Sequence, residues 1–143
     1  MREYYISTDK YLLNVERIQT LLSDCFWSKN IPINYVKKFI KHSLCFGAYK
    51  KDDDLLIGFG RVITDYTTFA YVCDIVIDYN YRKKGIGKKL ISHIMSHPEL
   101  RGLKTWSLTT TEDAKHIYEG HGFKIAENPN SKMEINDLNI YSK

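Results

Sequence analysis

Apolar residues fall along the chain in two rhythms, a dense one in short runs and a sparse one that returns every three or four positions. Arg2–Ser7 is a short strand-like run. Val15, Ile18, Leu22, Cys25 and Phe26 then recur at helical spacing, as do Ile33, Val36, Phe39 and Ile40 after Pro32. Leu44–Lys50 reads as a strand, and the polar "KKDDD" that follows predicts a hairpin turn into a strand over Leu55–Thr64. A second turn at Asp65–Thr67 leads into Phe69–Asp78, a nearly continuous apolar strand. From about Gly85 the helical rhythm returns, with Leu90, Ile91, Ile94 and Met95 on one face and Pro98 as the stop. Lys104–Thr110 predicts a strand and Ala114–His121 a short helix, with Gly122 placed as a left-handed cap. Phe123–Ala126 and Met133–Ile140 are expected to supply two final strands. The expected order, βααβββαβαββ, implies an α+β fold with a mixed, mostly antiparallel sheet flanked by helices. With no repeat, linker or low-complexity tract, residues 1–143 read as one domain.

Composition narrows this only slightly. An apolar fraction of 43% and a charged fraction of 27% are ordinary for a soluble globular chain. No membrane span or signal pattern is evident, so a cytoplasmic protein without a membrane partner is expected. Cys25, Cys45 and Cys73 are odd in number and lack metal-ligand spacing; they read as reduced thiols, with no metal expected. The net charge of +4 permits an anionic ligand. It does not form the basic stripe of a nucleic-acid binder, so no nucleic-acid partner is expected.

One stretch carries chemistry. In "YNYRKKGIGKKLISHI", residues 79–94, a strand gives way to a helix through Arg82, Lys83, Lys84, Gly85, Ile86, Gly87 and Lys88. A helix start leaves free N–H groups and the positive end of a dipole, both of which attract phosphate. Gly85 and Gly87 let a phosphate approach the main chain, and the cations add charge around it. A pyrophosphate fits better than a single carboxylate. The turn is not a dinucleotide fingerprint, because Leu90 stands where a third glycine belongs. Nor is it a Walker A loop, because Gly87 is followed by two lysines.

Two motifs in order, "RKKGIG" at Arg82–Gly87 and "AKHIYEGHGF" at Ala114–Phe123, resemble the GNAT superfamily of acetyl-CoA-dependent N-acetyltransferases. The first is similar to its [R/Q]-x-x-G-x-[G/A] pyrophosphate loop and the second to its A-x-x-x-Y-x-x-x-G-F segment. The element order agrees across nearly the whole chain. The resemblance implies acetyl-CoA as co-substrate, without metal, and an acceptor that is a primary amine of a small molecule or a protein. It implies that the pantetheine arm pairs along Ile75, Val76 and Ile77, and that the pyrophosphate falls on Lys83–Lys88. A main-chain N–H near a bulge in that strand would face the thioester oxygen. Thr111 replaces the family's common asparagine but retains a hydroxyl for the pantetheine.

Tyr118 matches the family's general acid. A phenol near pKa 10 can protonate a thiolate whose conjugate acid lies near 8.5. By spacing alone Tyr118 could equally be a core aromatic. Asp74 lies in an otherwise apolar strand, where an unpaired charge is expensive and a raised pKa is plausible. It is the candidate base, although it could simply accept hydrogen bonds from a neighbouring loop. Asp65 and Glu119 are weaker candidates, and His116 and His121 are expected on exposed helix positions. Phe26, Trp27, Arg61 and Tyr66 are candidates for the acceptor side, together with Tyr35, Phe69 and Tyr71. The competing reading is a non-catalytic acyl-CoA sensor with the same fold. Many relatives are homodimers, and the expected C-terminal strand near Glu134–Ile140 would offer an edge for pairing.

Overall fold

The structure, a computed structural model, describes residues 3–142. Five strands form one sheet in the order β1-β2-β3-β4-β5: Tyr4–Ser7, Leu44–Lys50, Leu56–Thr64, Phe69–Ile77 and Thr105–Leu108. The first four pair antiparallel, and β4 pairs parallel with β5. The expected start of β1 at Arg2 lies outside the described residues.

Helices α1 (Val15–Ser23) and α2 (Ile33–His42) cover one face of the sheet. Their Ile18, Leu22, Val36 and Ile40 pack on Cys45, Tyr49, Phe59 and Val76. Helix α3 (Ile86–Met95) covers the other face, where Ile86, Leu90 and Ile94 meet Phe46, Ala48, Ile57 and Val72. Because β2 lies under helices on both sides, Leu44 to Tyr49 are all buried, which is why that run is apolar or small without alternation. Asn14 caps α1 by accepting the Arg17 N–H at 2.9 Å. Helix α4 is one short turn, Lys115–Glu119, and Gly122 follows with φ 95°, in the left-handed position expected of it.

Two expectations fail. Cys25 and Phe26 do not continue α1, which stops at Ser23; the segment turns away in a 3-10 turn at Phe26–Ser28, leaving Phe26 79% exposed. The two final strands do not form. Beyond Phe123 the described chain is irregular apart from 3-10 turns at Pro129–Ser131 and Ile140–Ser142. Alternating apolar residues need a buried face to act as a strand, and here Met133, Ile135 and Leu138 stay in solvent.

Candidate active site

The site is built where β4 outruns β5. The parallel pairing begins at Phe69 opposite Thr105 and ends at Val72 opposite Leu108. From Cys73 to Ile77, β4 is therefore paired with β3 on one side only, and its other edge opens beside the start of α3. Within that stretch the β3 register shifts. Phe59 faces Val76 and Arg61 faces Cys73, so Gly60 opposes two residues, Asp74 and Ile75. This is a β-bulge, and Asp74 takes a left-handed φ of 55° within it. Gly60 leaves room for the bulged strand, since a Cβ there would come within 2.7 Å of Ile75 Cδ1 and push that side chain aside.

The bulge aims Asp74 at the α1–α2 face. Arg61 Nε donates to one carboxylate oxygen at 2.8 Å and Trp27 Nε1 donates to the other at 3.0 Å. Arg61 also donates to Ser43 Oγ at 3.1 Å and lies over the Phe39 ring at 4.2 Å. The Asp74 charge is thus paired within the apolar strand: the guanidinium of Arg61, next to Gly60 on the neighbouring strand, balances it. Sequence reading set Arg61 and Trp27 on the acceptor side but missed their bonds to Asp74, because nothing local in sequence links positions 27, 61 and 74.

At the mouth of α3, Gly85 is the N-cap with φ 81°, a conformation that glycine adopts without strain. The first helical bond there is Lys89 N–H to the Gly85 carbonyl at 3.1 Å. The N–H groups of Ile86, Gly87 and Lys88 therefore have no acceptor within the helix. Lys83, Lys84 and Lys88 are exposed around them. Arg82 is partly engaged: its Nε donates to the Ile77 carbonyl at 3.0 Å and its guanidinium lies 5.5 Å from the Tyr79 ring centre. Asp78, at the end of β4, is held in an ion pair with Arg17 of α1.

Tyr118 is half-buried and meets Phe123 edge-on at 5.9 Å. Burial raises its phenol above the ordinary value, so the group, protonated at neutral pH in any case, stays protonated further into the alkaline range. It lines a cleft of about 720 Å³ that runs along β5, from Lys104 to Thr110, and past Glu119 and Phe123. Thr111 is exposed, next to the turn into α4, and its neighbour Asp113 has a carboxyl held below the usual range, first by the Thr111 hydroxyl.

Other candidates fall elsewhere. Asp65 accepts the N–H groups of Thr67, Thr68 and Phe69 and the Thr68 hydroxyl, so it holds the β3–β4 turn together. Those donors keep its carboxyl far below the usual range. Tyr66 stands in that same turn, where its N–H donates to Thr64 Oγ1 at 2.9 Å. His116 and His121 are exposed, as expected. Burial lifts the Cys25 and Cys45 thiols to about 11 and Cys73 to about 12. Among the described residues no group of three or more His, Cys, Asp or Glu side chains is arranged to hold a metal, and no helix is long and apolar enough to cross a membrane.

Comparisons with known proteins bear on this arrangement. The profile of the acetyltransferase (GNAT) domain matches residues 41–125. A crystal structure from Xanthomonas campestris pv. campestris, described as belonging to the GNAT family of acetyltransferases, superposes with a TM-score of 0.92 at 40% identity, covering 100% of this chain and 99% of that one. A Gibberella zeae protein named as an acetyltransferase is 27% identical over a 138-position alignment that covers 81% of this chain and 76% of that protein. A GNAT family acetyltransferase from Elizabethkingia anophelis, solved with acetyl-CoA bound, shares the fold at a TM-score of 0.67 and 15% identity, over 89% of this chain and 80% of that one. The matched profile runs through the bulge, the glycine turn and Tyr118, and with the full-length likeness at 40% identity it settles the kinship: the chain is an acyltransferase belonging to the GNAT acetyltransferase family.

Proposed function

We propose that this enzyme moves an acetyl group from acetyl-CoA to a primary amine of a small molecule or a protein, by direct attack on the thioester in a ternary complex. The observation that carries the reading is the open edge of β4 beside a helix start whose N–H groups are free. An extended amide chain can pair with Ile75–Ile77 while its pyrophosphate sits on Lys83–Lys88. The Elizabethkingia relative holds acetyl-CoA, which supports that choice of co-substrate. Tyr118 then protonates the departing thiolate, and Thr111 offers its hydroxyl to the pantetheine. Asp74, oriented by Arg61 and Trp27, takes the amine proton directly or through a water.

Direct transfer is favoured over a cysteine-bound acetyl, because every thiol in the chain is pushed well above its ordinary range and stays protonated near neutral pH. Such thiols also suit a reducing, cytoplasmic setting. Thiol release from acetyl-CoA over a panel of primary amines tests the reading. Amine-dependent release is expected. Tight acetyl-CoA binding with no release for any amine would overturn it.

The enzyme is proposed to act as a homodimer, although by a different surface from an ordered C-terminal strand. The outer edge of β5 has no strand beside it among the described residues, and Met133, Ile135 and Leu138 are 92%, 104% and 86% exposed. A strand edge with unpaired main chain and a nearby apolar arm are mutually complementary, and a second copy supplies both at once. Light scattering should give twice the chain mass, and Ile135→Asp should shift it toward monomer.

A further inference from the structure

The chain's last described turn lies against the face that Asp74 points to. The ring of Tyr141, in the 3-10 turn Ile140–Ser142, meets Tyr35 of α2 edge-on at 5.1 Å and packs on the α1–α2 core. Tyr35 is one helical turn from Phe39, and Phe39 carries the Arg61 guanidinium that pairs with Asp74. Trp27 approaches the same carboxylate from the α1–α2 connection. The Asp74 and Arg61 charges both act on the Tyr141 phenol, Asp74 the more strongly after burial itself. Trp27 thus bonds the carboxylate and Tyr141 lies within reach of its charge, with Tyr35 stacked edge-on behind Tyr141; Trp27 and Tyr35 are 48% and 42% exposed, and Tyr141 is half-buried.

We infer that the C-terminal turn walls the acceptor side of Asp74, on the α1–α2 face, and that Tyr141 is a specificity-determining residue for a monoamine with an aromatic or apolar body. This rests on the amine-acetyltransferase reading above. A ring face attracts an ammonium and accommodates a flat or aliphatic body beside it. Asp74 is already balanced by Arg61, so a second ammonium would meet a guanidinium rather than a free carboxylate. The site therefore selects against polyamines. Tyr141 contributes no reacting group; it acts on acceptor binding alone.

The experiment compares 2-phenylethylamine with spermidine in the full chain, using wild type, Tyr141→Phe and Tyr141→Ala. Wild type should use 2-phenylethylamine with the higher kcat/KM. Tyr141→Ala should raise the KM for that amine by about tenfold, the size of one lost ring contact, while leaving the KM for acetyl-CoA in place. Tyr141→Phe, which keeps the ring, should restore the wild-type KM. Thermal melts confirm that both variants fold.

A second readout separates this inference from the reading beneath it. In a Trp106→Phe background, Trp27 is the remaining tryptophan, and its fluorescence should change on titration with 2-phenylethylamine whether or not acetyl is transferred. Loss of that change in Tyr141→Ala, in a protein that transfers no acetyl to any amine, would sink the transferase reading and leave the binding wall standing. Three outcomes overturn the inference itself: an unaltered amine KM and unaltered fluorescence response in Tyr141→Ala, equal or better use of spermidine, or a wild-type protein that neither binds nor acetylates an aromatic monoamine.

Discussion

At the scale of a single residue, Tyr118 illustrates how a common side chain becomes a candidate acid. Its position was legible from the ten-residue motif it shares with the family, whereas spacing alone would have left it among eleven tyrosines. The structure adds the surroundings: a phenol already protonated at neutral pH, as a general acid must be, is half-buried against Phe123. Tyr118→Phe retains the ring and its contact with Phe123 but deletes the proton. Acetyl-CoA and acceptor affinities should persist while kcat falls by about 10²–10⁴-fold, measured where chemistry limits the rate. A kcat near wild type would assign Tyr118 to packing. Asp74 teaches the opposite lesson. Its oddness in an apolar strand was visible in sequence, yet its partners were not, because the Arg61 and Trp27 contacts exist only once three separate segments are folded together.

Among the elements, those with strong periodicity formed where they were expected. The runs that became β2, β3 and β4 and the face that became α3 each bury what the pattern said they would. The C-terminal strands failed because Met133–Ile140 has the alternation of a strand but no neighbour to cover it within the described chain. The bulge in β4 was suggested by family likeness rather than by any glycine in β4 itself; the residue opposite it is Gly60 on the adjoining strand, whose missing side chain leaves Ile75 its place. That bulge depends on a part-buried charge pair. Arg61→Met should therefore destabilise the fold by about 1–3 kcal/mol in denaturant titrations, the cost of leaving Asp74 without its main donor. Adding Asp74→Asn should recover part of the loss. A double variant no more stable than Arg61→Met would mean that the guanidinium acts through Phe39 and Ser43 instead.

For the molecule as a whole, buried thiols set a limit on the alkaline side. Cys45 and Cys73 are lifted from an ordinary value of 9.0 to about 11 and about 12, chiefly by burial. Unfolded thiols lose protons near pH 9 while folded ones keep them, so the unfolded state binds fewer protons and stability falls as pH rises through that window. Melting temperature should decline above pH 9, and less steeply in Cys45→Ala/Cys73→Ala. An unchanged slope would show that other groups dominate the alkaline transition. The same global view changes the meaning of the bare edge from Cys73 to Ile77. A sheet with a missing strand is a template, and its occupant becomes part of the fold for as long as it stays. Coenzyme A should then behave as a removable sixth strand, slowing amide exchange along β4 and raising the melting temperature with the logarithm of ligand concentration above its Kd. Gly87→Val should cancel both effects without unfolding the protein, since a Cβ at Gly87 meets only Ile77 Cγ1 at 3.8 Å. If so, each catalytic cycle is also a small cycle of assembly and disassembly, and thiol release is the moment at which the sheet comes apart.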